Sequence, residues 1–181
     1  QYTFQRLGLP ETEQDALNGL TAQFDSGAIY NHLFAELSEQ GVIFTDTDNA
    51  LREYPELVKH YFGSVVPLDD NRYVSLNNAV WSGGTFLYIP RGVTIQMPLH
   101  AYYRLNTRSV GHFEHSLIIL EEDATVHFVE GCTAPVYHVP SLHSGVVEMI
   151  LSRGSHCRFT AIQNWSKDVF NFATIAAKVY Q

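Results

Sequence analysis

Two cysteines and a crowd of histidines are where this sequence could do chemistry. Cys132 sits inside "VHFVEGCTAPVYHVPSLHS", residues 126–144, behind a glycine and three positions ahead of a proline. The other cysteine is Cys157, and seven of the nine histidines fall between residues 100 and 156. A cysteine acts as nucleophile or metal ligand only as its thiolate, and an unperturbed thiol titrates near ~8.5, so it needs an activating cation or donor. Arg104, Arg108 and the histidines are candidates for that service, and Glu130 would oppose it. Three roles stay open for Cys132: a working thiol, a metal ligand, or a small buried residue. No CxxC or HExxH is present. His112, His115, His127, His138, His143 and His156 share no ligand spacing, so surface or structural roles are expected of each taken singly. His143, just past Pro140, is the nearest candidate base or co-ligand for Cys132. No Ser/His/Asp order and no glycine-rich phosphate loop is legible, and "SGG" at 82–84 reads as a turn.

The elements that must position these residues change character along the chain. Residues 1–63 read as helical. Pro10 followed by "ETEQDALNGL" looks like a helix start. Ile29, Leu33, Phe34 and Leu37 recur at helical spacing, with Gly41 as the stop. Asp46 or Asp48 would cap a short helix, Pro55 would break it, and a second helix would end at Gly63. From residue 72 on, β-branched and aromatic residues dominate in short alternations. "IPRGVTI" (89–95), "LEEDATV" (120–126) and "LSRGSHC" (151–157) align as strand–turn–strand units, placing Ile89, Leu120 and Leu151 at steps of 31. Units at a fixed period suggest a stacked β-solenoid, with a meander sandwich as the alternative.

That period sorts the cysteines. Cys157 falls in register with Val126 and Ile95, positions expected in the core. Cys132 falls in register with Ala101 and Gln163, so Cys132 and Gln163 should stack on neighbouring coils. His127, in register with Gln96 and Arg158, is expected to face solvent.

Composition bounds the function. The chain has 181 residues, 45% hydrophobic and 17% charged, which is a globular balance. A net charge of −8 argues against nucleic acid or an anionic membrane as partner. No apolar run approaches the ~18 residues of a membrane span, no signal peptide is apparent, and two cysteines are too few for a disulfide framework, so a reducing cytoplasm is expected.

Several motifs occur in a fixed order: "GVIFTDTDNALREYPELVKHYFG", "LNNAVWSGGTFLYIPRGV", "YYRLNT", "VEGCTAPVY", "LHSGVVE" and "IQNW". Together they resemble the SufB branch of the SufB/SufD family of iron–sulfur cluster assembly proteins, from about residue 10 to 174. The resemblance implies an α+β fold: an N-terminal helical region (1–64) followed by a right-handed parallel β-helix (65–181), incomplete at its C-terminal end. It implies a scaffold, not an enzyme, working with a SufD-like subunit and a SufC-like ATPase. Sulfur would arrive as persulfide from a cysteine desulfurase through a sulfur carrier, and a nascent iron–sulfur cluster would form in the full-length complex. Such proteins are cytoplasmic, or plastidial in a photosynthetic eukaryote. The cysteine of "EGC", Cys132, would be the sulfur acceptor. Arg104 and Asn106 of "YRLN", and Gln163 and Trp165 of "QNW", would line the sulfur path. Arg104 would stabilise anionic sulfur, Asn106 and Gln163 would donate hydrogen bonds, and Trp165 would wall the route.

Two departures stand out. The resemblance expects a lysine where Ile175 stands, and Lys178 is displaced by three positions. The sequence also ends at Gln181, well before such proteins do, so it reads as a fragment whose open solenoid end would be capped by another chain or by self-association. A polysaccharide-acting β-helix is the enzyme alternative, but Glu121, Glu122 and Asp123 fall in a turn. A small metal-binding β-domain using the histidines is the other.

Overall fold

The 31-residue repeat sets the architecture. In a computed structural model describing residues 19–24, 27–33, 35–105, 111–134, 136 and 140–181, Ile89 pairs with Leu120 and Leu120 with Leu151 across parallel strands. The third residue of each aligned turn is left-handed: Gly92 at φ 72°, Asp123 at 60° and Gly154 at 72°. Glycine adopts that conformation without steric cost, and aspartate tolerates it. The turns also bond to one another, Gly92 N–H to the Glu122 carbonyl at 2.9 Å and Asp123 N–H to the Arg153 carbonyl at 3.1 Å.

The β-branched and aromatic runs form two sheets. The first holds β1 (Gly19–Phe24), β2 (Gly27–Leu33), β5 (Leu99–Arg104), β8 (Thr125–Thr133) and β10 (His156–Asn164), in the order β10-β8-β5-β1-β2. The second holds β3 (Ile43–Asp46), β4 (Thr85–Ile89), β7 (His115–Leu120), β9 (Ser141–Leu151) and β11 (Val169–Val179), in the order β11-β9-β7-β4-β3. A two-residue strand β6 (Gly111–His112) also pairs with β9. The β1–β2 and β3–β4 pairs are antiparallel and the rest parallel. From β4 onward the chain passes from one sheet to the other and returns one strand further along. Leu87, Ile89, Leu99, Ile118, Leu120 and Phe128 are fully buried in one apolar cluster that draws on both sheets. Each contributes roughly 1.5–3 kcal/mol of burial free energy.

Among the described residues, four short helices follow local cues. They are α1 (Ala35–Glu39), α2 (Thr47–Glu53), α3 (Pro55–Tyr61) and α4 (Arg72–Val80). Gly41, at φ 83°, lies just past α1. Asp46 caps α2 by accepting the Asn49 N–H at 2.9 Å, and Pro55 occupies the first turn of α3. Ala50 and Val58 pack on Phe86, Leu117, Ile119 and Ile150, the second sheet's outer face. No helix among the described residues is long and apolar enough to cross a membrane.

The structure corrects three expectations. The expected helix around Ile29 and Leu33 is strand β2, hairpinned to β1, which pairs parallel with β5. Without β1, β5 would be an open edge, and backbone pairing there outweighs a few residues at helical spacing. Gln23 anchors β1: its amide donates to the Gly84 carbonyl at 2.8 Å and accepts the Gly84 N–H at 3.0 Å. Second, residues 72–80 are helical, started by Asn71, whose side chain accepts from the Tyr73 and Val74 N–H groups. Third, the register slips by two. Thr94 bridges Thr125, a step of 31, but Leu99 pairs with Phe128, a step of 29. The two extra residues lie around Gln96–Pro98, where a proline cannot supply a ladder N–H. Cys132 therefore pairs with Tyr103, and Ala101 with Glu130. The expected helix after Pro10, with Asn106, Arg108 and His138, lies outside the described residues.

Candidate functional site

Alternation along each strand sends every second side chain inward. On the first sheet the inward set includes Tyr103, Glu130 and Cys132, all buried. Cys132 is fully buried, and its Sγ lies 4.0 Å from Glu130 Oε1. Burial pushes the Cys132 thiol well above its usual range, and the Glu130 and Glu114 carboxylates push it further. Burial also raises Glu130, to about 8, with Glu114 adding to the rise and His143 opposing it. Ala101 and Ala161 flank Glu130 in register on either side, leaving only small side chains beside it. The Tyr103 hydroxyl shares hydrogen bonds with Thr85 Oγ1 at 2.5 Å and Ser116 Oγ at 3.3 Å.

The second sheet brings three ligand-type residues together. His112 on β6 pairs in register with His143 on β9, and Glu114 follows β6. One ligand atom from each of the three lies within 4.8 Å of the others, and all three residues are buried. Glu114 Oε1 and His143 Nε2 stand within short hydrogen-bonding distance of each other. Glu114 Oε2 stands 3.0 Å from His112 Nδ1, but off alignment, so neither atom has a proper hydrogen bond. His112 Nε2 has none either. Burial alone would raise Glu114, yet His143 and His112 together hold its carboxyl far below the usual range. Burial alone would lower His143, but Glu114 more than offsets it, with help from Asn171, and the imidazole is raised. The fold makes room deliberately: a Cβ on Gly145 would sit 2.6 Å from Glu114 Oε1. Asn77 of α4 fixes the backbone on both sides, donating to the carbonyls of Glu114 at 2.8 Å and Ser144 at 2.6 Å.

A hydrogen-bonded chain leads from this cluster to the surface. His143 Nδ1 meets Asn171 Oδ1 at 2.6 Å, Asn171 Nδ2 donates to Gln163 Oε1 at 2.6 Å, and Trp165 Nε1 donates to the same oxygen at 2.7 Å. The Trp165 ring also packs on His143, with centroids 4.5 Å apart. Trp165 lines a surface hollow with Val136, Lys167 and Asp168, so it stands between that hollow and the interior.

Of the sequence-predicted site residues, Cys132 and Gln163 pair in register. Gln163 and Trp165 are hydrogen-bonded, and the weak metal candidate His143 joins them through Asn171. Arg104 is not brought to the sulfur. It neighbours Tyr103 on β5 and pairs with Thr133, so its side chain leaves from the opposite face to Cys132. Gly131 makes room for a neighbouring ring: a Cβ there would sit 2.8 Å from Tyr102. Ile175 shares the face of Asn171, whereas Lys178, an odd number of residues on, leaves from the other face and lies over the Tyr180 ring at 5.2 Å. Lys178 thus does not take the place of the expected lysine. Cys157 pairs with Val126 as expected, but it is only partly buried, and burial raises its thiol to about 11. His127 pairs with Arg158, is partly exposed, and bonds Thr160 Oγ1 at 3.0 Å.

Sequence reasoning missed His112 and Glu114 as partners of His143. The signal was present: His112 and His143 are 31 residues apart, one period of the repeat already in hand, and Glu114 stands 31 before the glycine that admits it.

Two family models match consecutive parts of the chain. The SufBD protein N-terminal region matches residues 4–101, and the SufBD core domain of SUF system FeS cluster assembly matches residues 103–181. Among curated proteins, an iron–sulfur cluster assembly SufBD family protein of Staphylococcus aureus (strain USA300) is 52% identical over 179 residues. One from Staphylococcus haemolyticus (strain JCSC1435) is also 52% identical over 179 residues. Each alignment covers 99% of this chain and 38% of the relative, so the chain spans well under half the length of the curated relatives it matches.

Proposed function

Because this chain belongs to the SufBD family of iron–sulfur cluster assembly proteins, we propose that it is part of a SufB-like scaffold whose Cys132 accepts persulfide sulfur for a nascent cluster. In this reading the two parallel sheets are coils of a right-handed parallel β-helix, and the space between them is the sulfur path. The Cys132 thiolate attacks the outer sulfur of a carrier persulfide. A new Sγ–S bond forms, the carrier's S–S bond breaks, and the carrier leaves as a thiolate. The cluster is cargo, completed in a cytoplasmic complex with a SufD-like subunit and a SufC-like ATPase; the ATPase and desulfurase chemistry belongs to partners. Asn106, and Arg104 on the outer face, would serve at the approach to the path, and Gln163 and Trp165 within it.

The observation that carries this reading is the placement of Cys132: fully buried, and paired in register with Gln163, which hydrogen bonds to Trp165. A buried thiol is shielded from water and stray thiols, which a sulfane sulfur relay needs. It is also held protonated, so acceptance requires a donor that reaches and deprotonates it. The test is mass spectrometry after incubation with a desulfurase, its carrier and cysteine. The account expects one added sulfur atom on Cys132 and none in Cys132→Ser. Equal labelling of Cys157 would remove the distinction on which the reading depends.

A further inference from the structure

The polarity of the hydrogen-bonded chain can be worked out from one end. An indole N–H only donates, so the atom of Gln163 facing Trp165 Nε1 must be its oxygen. That oxygen then receives the amide N–H of Asn171, which turns the Asn171 oxygen toward His143 Nδ1. His143 Nδ1 must therefore carry hydrogen. In a neutral imidazole this leaves Nε2 bare, facing the bare Oε1 of Glu114. Two acceptors that close are reconciled by a proton held between them, which a divalent ion would displace as the ligand atoms move apart. Across the same carboxylate, His112 Nδ1 stands 3.0 Å from Oε2 without alignment, and His112 has no hydrogen bond at either nitrogen although it is fully buried. Buried polar atoms without partners are rare and costly.

Two imidazoles and one carboxylate, converging from a strand pair and the second residue after it, make a donor set for a divalent transition ion. A ligating histidine typically donates its other ring N–H to an outer partner, as His143 does to Asn171. We propose that His112, Glu114 and His143 form a buried binding site for a divalent ion of the zinc or ferrous class, with Asn171, Gln163 and Trp165 as the positioning residues that fix the His143 tautomer. The site shares Gln163 and Trp165 with the sulfur reading but not its thiol, so either can fail alone.

Cobalt(II), added to the chelator-stripped chain, is the probe. The expected result is one ion per chain with visible ligand-field absorption, displaced by zinc(II). His112→Gln, Glu114→Gln and His143→Gln should each weaken binding more than about 100-fold, beyond the 10–100-fold typical of losing an outer partner. Asn171→Ala should fall within that 10–100-fold range. Cys132→Ser and Cys157→Ser should leave binding unchanged. Failure of the folded native chain to take up cobalt, or uptake that survives both Glu114→Gln and His143→Gln, would overturn the site. Should those variants not fold, ¹⁵N-imidazole spectra of the native chain decide. Zinc-induced shifts at two buried histidines support the site, and shifts confined to the exposed His60 and His156 refute it.

Discussion

Two buried histidine–glutamate sets lie back to back on the second sheet, and they are built to opposite ends. On the outer face, Glu148 accepts from the N–H groups of Gly63 at 2.7 Å, Val65 at 2.7 Å and Val66 at 3.0 Å, and from His115 Nε2 at 2.8 Å. Phe62 stacks on His115 at 3.9 Å. Every donor around that carboxylate is satisfied, and only His115 Nδ1 is left over. On the inner face Glu114 faces two histidines, one of them without a hydrogen bond, beside a second buried carboxylate, Glu130, whose Oε2 is also unpaired. The outer set is an anchor that ties the 62–66 segment to the sheet. The inner set is left chemically unfinished, which is what a binding site requires and an anchor avoids. Residue type and burial do not distinguish them; the count of satisfied atoms does.

Amide substitution should separate the two most widely. In Glu148→Gln the new side chain would offer one oxygen and one NH2 group to four donors, stranding at least one buried N–H, so this change should destabilise the fold by about 3 kcal/mol. In Glu114→Gln the amide could donate to the bare His143 Nε2 and accept from His112 Nδ1, so the cost should be about 1 kcal/mol or less. Urea unfolding in chelator measures both, and equal losses would erase the contrast.

The inner set should also show a pH dependence of its own. Glu130 has its folded pKa raised to about 8. Its protonated form therefore stabilises the fold, fully below the unfolded carboxylate value of about 4.3, and that stability is lost as pH rises toward about 8. The loss is on the order of 1.4 kcal/mol per pH unit within that window, with Glu114 adding to the shift and His143 opposing it. Glu130→Gln should flatten the decline between pH 5 and 8 in chelator-stripped protein. An unchanged slope would mean that the carboxyl is hydrated or paired.

Smallest is Trp165→Phe, which keeps an aromatic ring on His143 but removes the N–H that orients Gln163. Stability should change by under about 1 kcal/mol, while cobalt affinity falls by about 10-fold. No change in affinity would show that the amides hold their orientation without the indole.

Much of this was legible from the period alone. The step of 31 paired Cys157 with Val126 and Cys132 with Gln163, because these strands pair parallel at that same offset. The Ala101 expectation failed because two extra residues around Pro98 break the count locally, though an even slip kept the same face inward. The hairpin at 19–33 was not legible, since an edge supplied by residues 99–104 decides it. The inner His–Glu set was hidden by searching for ligands at local spacings, when its members are neighbours across strands.

The most direct test of the central claim sets sulfur loading against plain thiol reactivity on the same chain. Cys132 is fully buried and Cys157 only partly so. A small alkylating reagent should therefore modify Cys157 of the native chain first, whereas the desulfurase and carrier should load Cys132 first, both read by peptide mass spectrometry. Reversed order between the two reagents is the predicted result. The same order with both would mean that sulfur merely follows exposure, and Cys132 would not be the acceptor.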